Sequence, residues 1–393
     1  MKHFIGEHAE DDLNRLLLSA SRYPGIDVPY AVGQIACRRQ IRDKLPSWYA
    51  NDALVFPAGL AAEQCSPEQT AVYKQRLVKG AAHVCDLTGG LGIDSFFLSR
   101  EARRLTYIER QKDYCEAARR NFASLGAENI DVCEGDARVL LPDLPDSIDV
   151  FYIDPARRGG AGKRVFALRE CEPDLTALLP ELLRRAPRVI ARLSPMADLR
   201  QTLSLLPGTT QVHVLSVRNE CKELLFVIGR EAPAAGSLPI HCVHLTREGK
   251  EETFTFSLQE EKDCPAPLAD AVKTWLYEPN SSILKAGAFR SITRLGICKL
   301  HTHSHLYTSG QLLEDFPGRR FAVEEVLPFS SKLRKNLHTS IPRAHISVRN
   351  FPLTADELRK RTRIADGGDR YLFATTLHDG TKTLLVCRKH DKP

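Results

Sequence analysis

The chain has 393 residues, 43% of them apolar and 26% charged, a composition that excludes a disordered or fibrous protein and allows two or three domains. No apolar run approaches the ~20 residues of a membrane helix, and the acidic, amphipathic start MKHFIGEHAEDDLNRLLLSA reads as neither a signal nor a transit peptide. Net charge is +6, unevenly placed: Ser281 to Pro393 carry 20 Lys+Arg against 10 Asp+Glu, and the rest of the chain 35 against 39. A neutral body with a basic C-terminal third suggests a polyanion partner for that third; a solvated basic face is the alternative. Eleven cysteines without C-x-x-C pairs read as reduced thiols in a cytoplasm, not as a disulfide frame.

Residues 1–78 read as helices with loops. In CSPEQTAVYKQRLV, Ser66 is placed as a helix cap, Pro67 as the first helical residue and Gln69 as the end of an S-x-x-Q capping box. Then the pattern changes to alternation. AHVCDL, RLTYIE, NIDVCEGD, IDVFYIDPA and RVIARLS read as strands, with helices between and after them. This order predicts an α/β fold, a parallel Rossmann-like sheet over 79–232 with helices on both faces. QVHVLSVRNECKELLFVIGR closes it as an antiparallel hairpin. EAPAAGSLP is a linker by composition. A hairpin, a helical stretch and ICKLHTHSHLYTS, read as a strand, fill 233–316. From 317 to 393 the order strand, helix, strand, helix, strand, strand predicts a small α+β domain.

CDLTGGLGIDS follows a strand and opens a helix, so its glycines let backbone approach a ligand. Glu109 ends the next strand, at the distance where an acid meets ribose hydroxyls, which keeps a dinucleotide in view. The loop is G-G-x-G, however, and acids close four successive strands: Asp86, Glu109, Asp136 and Asp154. S-adenosylmethionine carries an ammonium, a ribose diol, an adenine amino group and a sulfonium, and no phosphate. Acids suit it better than they suit NAD.

The run DVFYIDPARRGGAGKRV places Asp154 at the crevice mouth, where its carboxylate can accept a hydrogen bond from a base amino or imino group. Pro155 fixes the backbone beside it. Arg157, Arg158, Lys163 and Arg164 are placed to hold phosphates around a target nucleotide. A structural strand-end aspartate with a solvated loop is the bland alternative. His301, His303 and His305 share one face of the expected strand, a spacing zinc can use, but no nearby Cys or carboxylate completes a set. No metal is expected.

DLTGGLG, Glu109, EGDA and DPAR resemble the ordered motifs of class I S-adenosylmethionine-dependent methyltransferases. More narrowly, FPAGLAAEQCSPEQTAVYK, RLSPMADL, NECKELL, YEPNSSILKAGAF and FPGRRFAVEEVLPFSSKLRKNL resemble a bacterial family of these enzymes with C-terminal ferredoxin-like and THUMP-like segments. The resemblance implies RNA methylation with S-adenosylmethionine as cofactor and does not supply the target; a tRNA or an rRNA is expected, and no membrane partner. It implies that Asp86, Thr88, Gly90 and Gly92 hold the methionine end, Glu109 the ribose, and Asp136 with Ala137 the adenine, while Gln64 and Ser66 close the site. It also implies a separable THUMP-like module from about residue 317 that grips RNA, with Lys332, Arg334 and Lys335 as its candidate phosphate contacts.

DPAR is similar to the Asp-Pro-Pro-Arg of C5-uridine methyltransferases, which carry a nucleophilic cysteine before a proline on the next strand. Here that stretch is RLSPM, without a cysteine, so covalent transfer is not expected. Cys221 in RNECKE is the alternative nucleophile. A methyltransferase for a protein or small molecule, and a catalytically idle RNA-binding protein that keeps the fold, are the competing functions.

Overall fold

The computed structural model describes the chain except residues 58, 158–167, 169–170, 232, 235 and 391–393; at 59–61, 157 and 331–335 it describes the backbone alone. The described chain forms two compact units, one of residues 1–210 and 223–233, the other of residues 211–222 and 234–393.

In the first unit, four strands appear early: β1 (His83–Asp86), β2 (Arg104–Glu109), β3 (Ile130–Glu134) and β4 (Val150–Ile153). The two-residue strands β5 (Ala156–Arg157) and β6 (Cys171–Glu172) pair with each other outside the main sheet. β7 (Arg188–Leu193) and β9 (Glu220–Gly229) complete the series, while most of β8 (Thr209–Val217) belongs to the second unit. Within this unit the order is β3-β2-β1-β4-β7-β9. The first five run parallel and β9 runs antiparallel to β7. β1 and β4 are buried along their whole length, as strands covered on both faces must be. Chain order reverses between β1 and β4, which makes their carboxyl ends the place where such sheets bind ligands.

Arg218 and Asn219 turn the chain from β8 into β9 with φ of 53° and 59°, the left-handed pair that a two-residue hairpin needs. Sequence reasoning ended the sheet at this hairpin. In the second unit, however, residues 212–217 of β8 pair in parallel with β10 (Pro239–Leu245), which pairs antiparallel with β11 (Glu251–Ser257). Val212, Val214, Leu215, Cys242 and Val243 are all buried, so β8 carries apolar surface on both sides of the pleat and cannot serve as an exposed edge.

The N-terminal helices pack on the first unit through Trp48, Leu54 and Phe56, which share a buried cluster with Leu91, Ile93 and Phe97. Two side-chain amides fix the connecting segment. Gln34 donates to the Phe56 carbonyl (2.6 Å) and accepts from its N–H (3.0 Å). Asn121, itself buried, does the same for Val55, at 2.9 Å in both directions. The expected capping box does not form. The helix spans Glu68–Gln75, with Pro67 at its N-cap and no side-chain cap, because the Ser66 hydroxyl is engaged elsewhere.

The second unit also holds β12 (Trp275–Pro279), β13 (Cys298–Lys299), β14 (Tyr307–Ser309), β15 (Gly318–Pro328), β16 (His345–Arg349), β17 (Arg370–Thr376) and β18 (Lys382–His390). They form one sheet in the order β13-β14-β12-β15-β18-β17-β16. Helices Ser331–Ser340 and Ala355–Thr362 contribute Leu337 and Leu358 to a core with Ile341, Leu372, Leu384 and Val386. Thr354 and Glu357 form a reciprocal capping box on the second helix.

The histidine stretch is not one strand. β13 ends at Lys299 and β14 starts at Tyr307, with a turn between. His301 Nδ1 accepts the His303 N–H at 2.9 Å, and His305 stacks on Phe289 at 3.9 Å. Their common face is therefore lost, and no metal-binding group of His, Cys, Asp or Glu occurs among the described residues. No helix among the described residues is long and apolar enough to cross a membrane.

Asn121→Ala should destabilise the protein by about 1–3 kcal/mol, because it strips the Val55 N–H and C=O of their partners. Urea unfolding measures this, and an unchanged midpoint would show that the segment is not held there.

Candidate active site

At the carboxyl ends of β1, β2 and β4 a cleft of about 390 Å³ opens, within the range of small-molecule sites. Asp86, Thr88, Gly90, Gly92, Glu109, Asp136, Ala137 and Asp154 all line it, as do Gln64 and Ser66 from the N-terminal segment. Pro155 is buried behind Asp154 and does not line the cleft. Arg157 lies in the β5–β6 ladder opposite Cys171. The side chain of Arg157 and those of Lys332, Arg334 and Lys335 lie outside the described residues, as do Arg158, Lys163 and Arg164 altogether.

The glycine loop owes its shape to its neighbours. A Cβ on Gly89 would stand 2.2 Å from the Tyr107 ring, and one on Gly92, at φ 79°, would stand 2.6 Å from Phe122. Gly90, at φ 55°, has nothing closer than 3.9 Å at that position, so its missing side chain leaves open cleft. Four of the loop's N–H groups are already used. Thr88 N donates to Asp86 Oδ1 (3.0 Å), Gly89 N to the Ile108 carbonyl (2.8 Å), Gly90 N to Glu109 Oε2 (3.0 Å) and Gly92 N to the Gly89 carbonyl (2.9 Å). A pyrophosphate needs such donors free, so this geometry disfavours a dinucleotide.

Asp86 is 1% exposed and takes a second hydrogen bond from the Ser95 hydroxyl at 2.5 Å. Burial pushes its pKa up to about 7, against the downward pull of the Ser95 and Thr88 bonds. A cationic ligand at this carboxylate would restore the charged form. Glu109 also accepts the Gln111 N–H at 2.8 Å, which fixes its carboxylate at the mouth of the cleft.

Asp136 lies beyond the end of β3 and caps the short helix Ala137–Leu140. Sequence reasoning placed it at the strand end, toward an adenine amino group. Its partner is Arg138, at 2.5 Å for the closest contact, and this hydrogen bond holds its pKa below the ordinary value. An adenine amino group would have to share these oxygens with the guanidinium.

Asp154 is also paired. Its N–H donates to the Thr88 hydroxyl at 2.7 Å, and Arg192 of β7 binds its Oδ2. Burial raises its pKa while the Arg192 charge opposes the rise. Arg192 in turn holds Glu223 of β9 at 2.7 Å. Glu223 meets Lys74 at 3.1 Å, and Lys74 meets Asp94 at 2.7 Å. The Ser66 hydroxyl accepts from Lys74 (2.7 Å) and donates to Asp94 Oδ2 (2.9 Å), which also accepts the Tyr152 hydroxyl (2.7 Å). Ser66 therefore serves this network rather than a helix cap. Lys74, Asp94, Arg192 and Glu223 escaped sequence reasoning. Each nonetheless lies within a stretch quoted above: Lys74 ends FPAGLAAEQCSPEQTAVYK, Asp94 is in CDLTGGLGIDS, Arg192 opens RLSPMADL and Glu223 is in NECKELL.

Two cations, Lys74 and Arg192, face three acids, Asp94, Asp154 and Glu223, with Asp86 beside them. The excess of negative charge and the open cradle at Gly90 fit S-adenosylmethionine, whose ammonium and sulfonium are both positive. Among the described residues Cys65 is the one thiol lining the cleft. It donates to the Ala62 carbonyl at 3.2 Å, and burial pushes its pKa up, which makes it a poor nucleophile. None of the eleven cysteines, Cys221 included, forms a disulfide.

A parallel sheet closed by an antiparallel strand, with an acid-lined crevice at its switch point, is the architecture of class I methyltransferases. Comparison with known proteins agrees. Residues 275–317 match a ferredoxin-like domain and residues 318–389 a THUMP domain-like family. A crystal structure of a protein assigned as a methyltransferase from Porphyromonas gingivalis W83 is 40% identical, with a TM-score of 0.90 over 99% of this chain and 97% of that one. The ribosomal RNA small subunit methyltransferase J of Rhodopseudomonas palustris BisB5 is 34% identical over 148 residues, 33% of this chain and 67% of that protein. An uncharacterised RNA methyltransferase of Synechocystis is 28% identical over 174 residues, 44% of this chain, which spans only 34% of that protein. The chain belongs to the family of class I S-adenosylmethionine-dependent methyltransferases with C-terminal ferredoxin-like and THUMP-like domains.

The raised Asp86 pKa has two measurable consequences. Its folded value, about 7, lies above the unfolded 3.8, so its contribution to stability is full below pH 3.8 and is lost as pH rises through 7. Asp86→Asn should therefore melt higher than the native chain at pH 8, and the gap should close toward pH 5. The affinity of the native protein for S-adenosylmethionine should rise from pH 6 to pH 8, as the carboxylate ionises to meet the ammonium, whereas the variant binds weakly throughout. Calorimetry at three pH values reads both. Flat affinity would remove Asp86 from the site.

Proposed function

We propose that this chain is an S-adenosylmethionine-dependent RNA methyltransferase, acting on a tRNA or an rRNA by non-covalent transfer in a cytoplasmic setting. The observation that carries the reading is the Asp154 carboxylate, in the same cleft as Asp86 and Glu109, with one oxygen tied to Arg192. S-adenosylmethionine, when bound, supplies a methyl group on a sulfonium. Asp86 pairs with the cofactor ammonium, Glu109 accepts from the ribose hydroxyls, and Ala137 with Asp136 borders the adenine. Gln64 borders the cleft from the N-terminal segment.

Arg192 fixes Asp154 Oδ2, which leaves Oδ1 to accept a hydrogen bond from the nucleophilic group of the target nucleotide. Holding that group in line is worth more than any covalent help in such a transfer. Burial raises the Asp154 pKa, which makes its carboxylate a better proton acceptor than an exposed one. Pro155 keeps the backbone rigid beside it. Arg157, Arg158, Lys163 and Arg164 bring the phosphates of the polyanion to the acid. The THUMP-like match and the basic C-terminal third support RNA as that polyanion, as do the names of the curated relatives.

Asp154→Asn should lower kcat for methyl transfer to RNA by about 10²-fold or more while the Kd for S-adenosylmethionine stays within a few-fold. Cys221→Ser should remain active. Tritiated-methyl incorporation into total RNA reads both, and a fully active Asp154→Asn, or an RNA adduct trapped on Cys221, would overturn the mechanism.

Neutralising Lys332, Arg334 and Lys335 together should reduce the slope of log K against log salt for RNA binding by roughly 2. KM for RNA should rise without moving the cofactor Kd. Unchanged salt dependence would mean that this helix does not grip phosphate.

A further inference from the structure

The first unit contains a second and larger cavity, of about 860 Å³, between the N-terminal helices and the helix Lys112–Ser124. Lys2, Arg38, Arg39, Arg42 and Arg120 line it, and Asp52 is the one acid among the described residues that does. Arg38 is committed to the carbonyls of Tyr49, Asn51 and Leu54, and Arg39 to those of Ala9 and Asp11. The carbonyl bonds neutralise no charge, but Asp52 offsets Arg38 across 3.5 Å, so of these two guanidiniums it is Arg39 that adds positive field to the groove. Arg42 meets Glu10 at the rim, and Lys2 and Arg120 are exposed.

Two tyrosines stand among these cations. Tyr30 is 42% exposed, and Tyr49 lies 5.5 Å beneath the Arg42 guanidinium. A cationic groove with an exposed aromatic ring, here Tyr30, is the construction that holds single-stranded nucleic acid, with phosphates on the cations and a base on the ring. The groove also has a fixed relation to the cleft. Tyr114 lines the cleft and Arg120 lines the groove, on one helix. Six residues at ~1.5 Å each set them roughly 9 Å apart along its axis, a distance that a few nucleotides span.

We infer that this groove binds the single-stranded RNA flanking the target nucleotide. The inference rests on the RNA-methyltransferase reading above and adds to it a grip in the N-terminal segment, separate from the C-terminal module. That grip is hidden from a charge count, because the first 280 residues sum to a slight negative charge.

The test uses the full-length chain, a fluorescein-labelled 12-nucleotide oligouridine and methyl transfer to total RNA. The triple variant Tyr30→Ala/Arg42→Ala/Arg120→Ala should bind the oligomer about tenfold or more weakly. Its salt slope should be reduced by roughly 1.4, the value of two phosphate contacts on a single strand. Its melting temperature and cofactor Kd should stay native. Arg120→Glu alone, at an exposed position, should show the same effect in smaller measure if the triple variant folds poorly. Photocrosslinking of the native chain to 4-thiouridine RNA should label peptides containing Tyr30 or Tyr49. Native binding by folded variants, or crosslinks confined to residues beyond 317, would overturn the groove. If the native chain still methylates RNA in that case, the RNA reading stands without it. If the native chain neither binds nor methylates RNA, both fall.

Discussion

The site depends on a lysine that has almost no contact with solvent. Lys74, 1% exposed at its side chain, reaches Asp94 at 2.7 Å and Glu223 at 3.1 Å. A buried ammonium is costly unless every donor is satisfied, and Ser66 completes the set. These three partners come from three places: Asp94 from the helix after the glycine loop, Glu223 from the last strand of the first unit, and Ser66 from the loop before the helix that carries Lys74. Glu223 passes the constraint on to Arg192 and so to Asp154. Removing any one member would leave an uncompensated charge in the interior, so the N-terminal helices belong to the catalytic domain and are not an appendage to it.

This network decides how the two acids of the cleft differ. Asp86 has only hydroxyl and backbone donors, so desolvation prevails and its pKa rises to about 7. Asp94, 12% exposed at its side chain, has Lys74 and Arg192 beside it. Burial pushes its pKa up, but the two cations outweigh burial and hold it below the ordinary value. The carboxylate left without a cation is the one facing the cradle at Gly90, where a cationic ligand would supply the missing charge. A free site of this kind gives up some stability above neutral pH in exchange for a ready counter-charge.

What the sequence revealed and what it concealed follow from range. Strand order, the glycine turn and the acids at strand ends were legible because each is a local pattern within about ten residues. Asp86, Glu109 and Asp154 were found in this way, and they do share one cleft. Their partners were not legible. Lys74 and Glu223 are 149 residues apart in the chain, and Arg192 looks like any polar residue in RVIARLS. Ser66 shows the opposite failure: a sound local pattern predicted a capping box, and a tertiary demand from a buried lysine claimed the hydroxyl. The histidine strand failed because alternation alone cannot tell a strand from a turn between two short strands.

Charge followed the same rule. Summed over the chain, it pointed only to the C-terminal third, because acids at the cleft cancel basic residues elsewhere in the first unit. Folding separates the two. Asp86, Asp94 and Asp154 gather at the carboxyl ends of the central strands, whereas Arg38, Arg39, Arg42 and Arg120 collect on the flank of the helix Lys112–Ser124. An acidic pocket suits a small cation and repels a polyanion, so a nucleic-acid methyltransferase of this design needs positive surface close to its cleft to bring phosphates near carboxylates. At low dielectric the repulsion between an incoming phosphate and Asp154 would be severe. Arg192, bonded to that carboxylate, weakens it at the point where the target must enter.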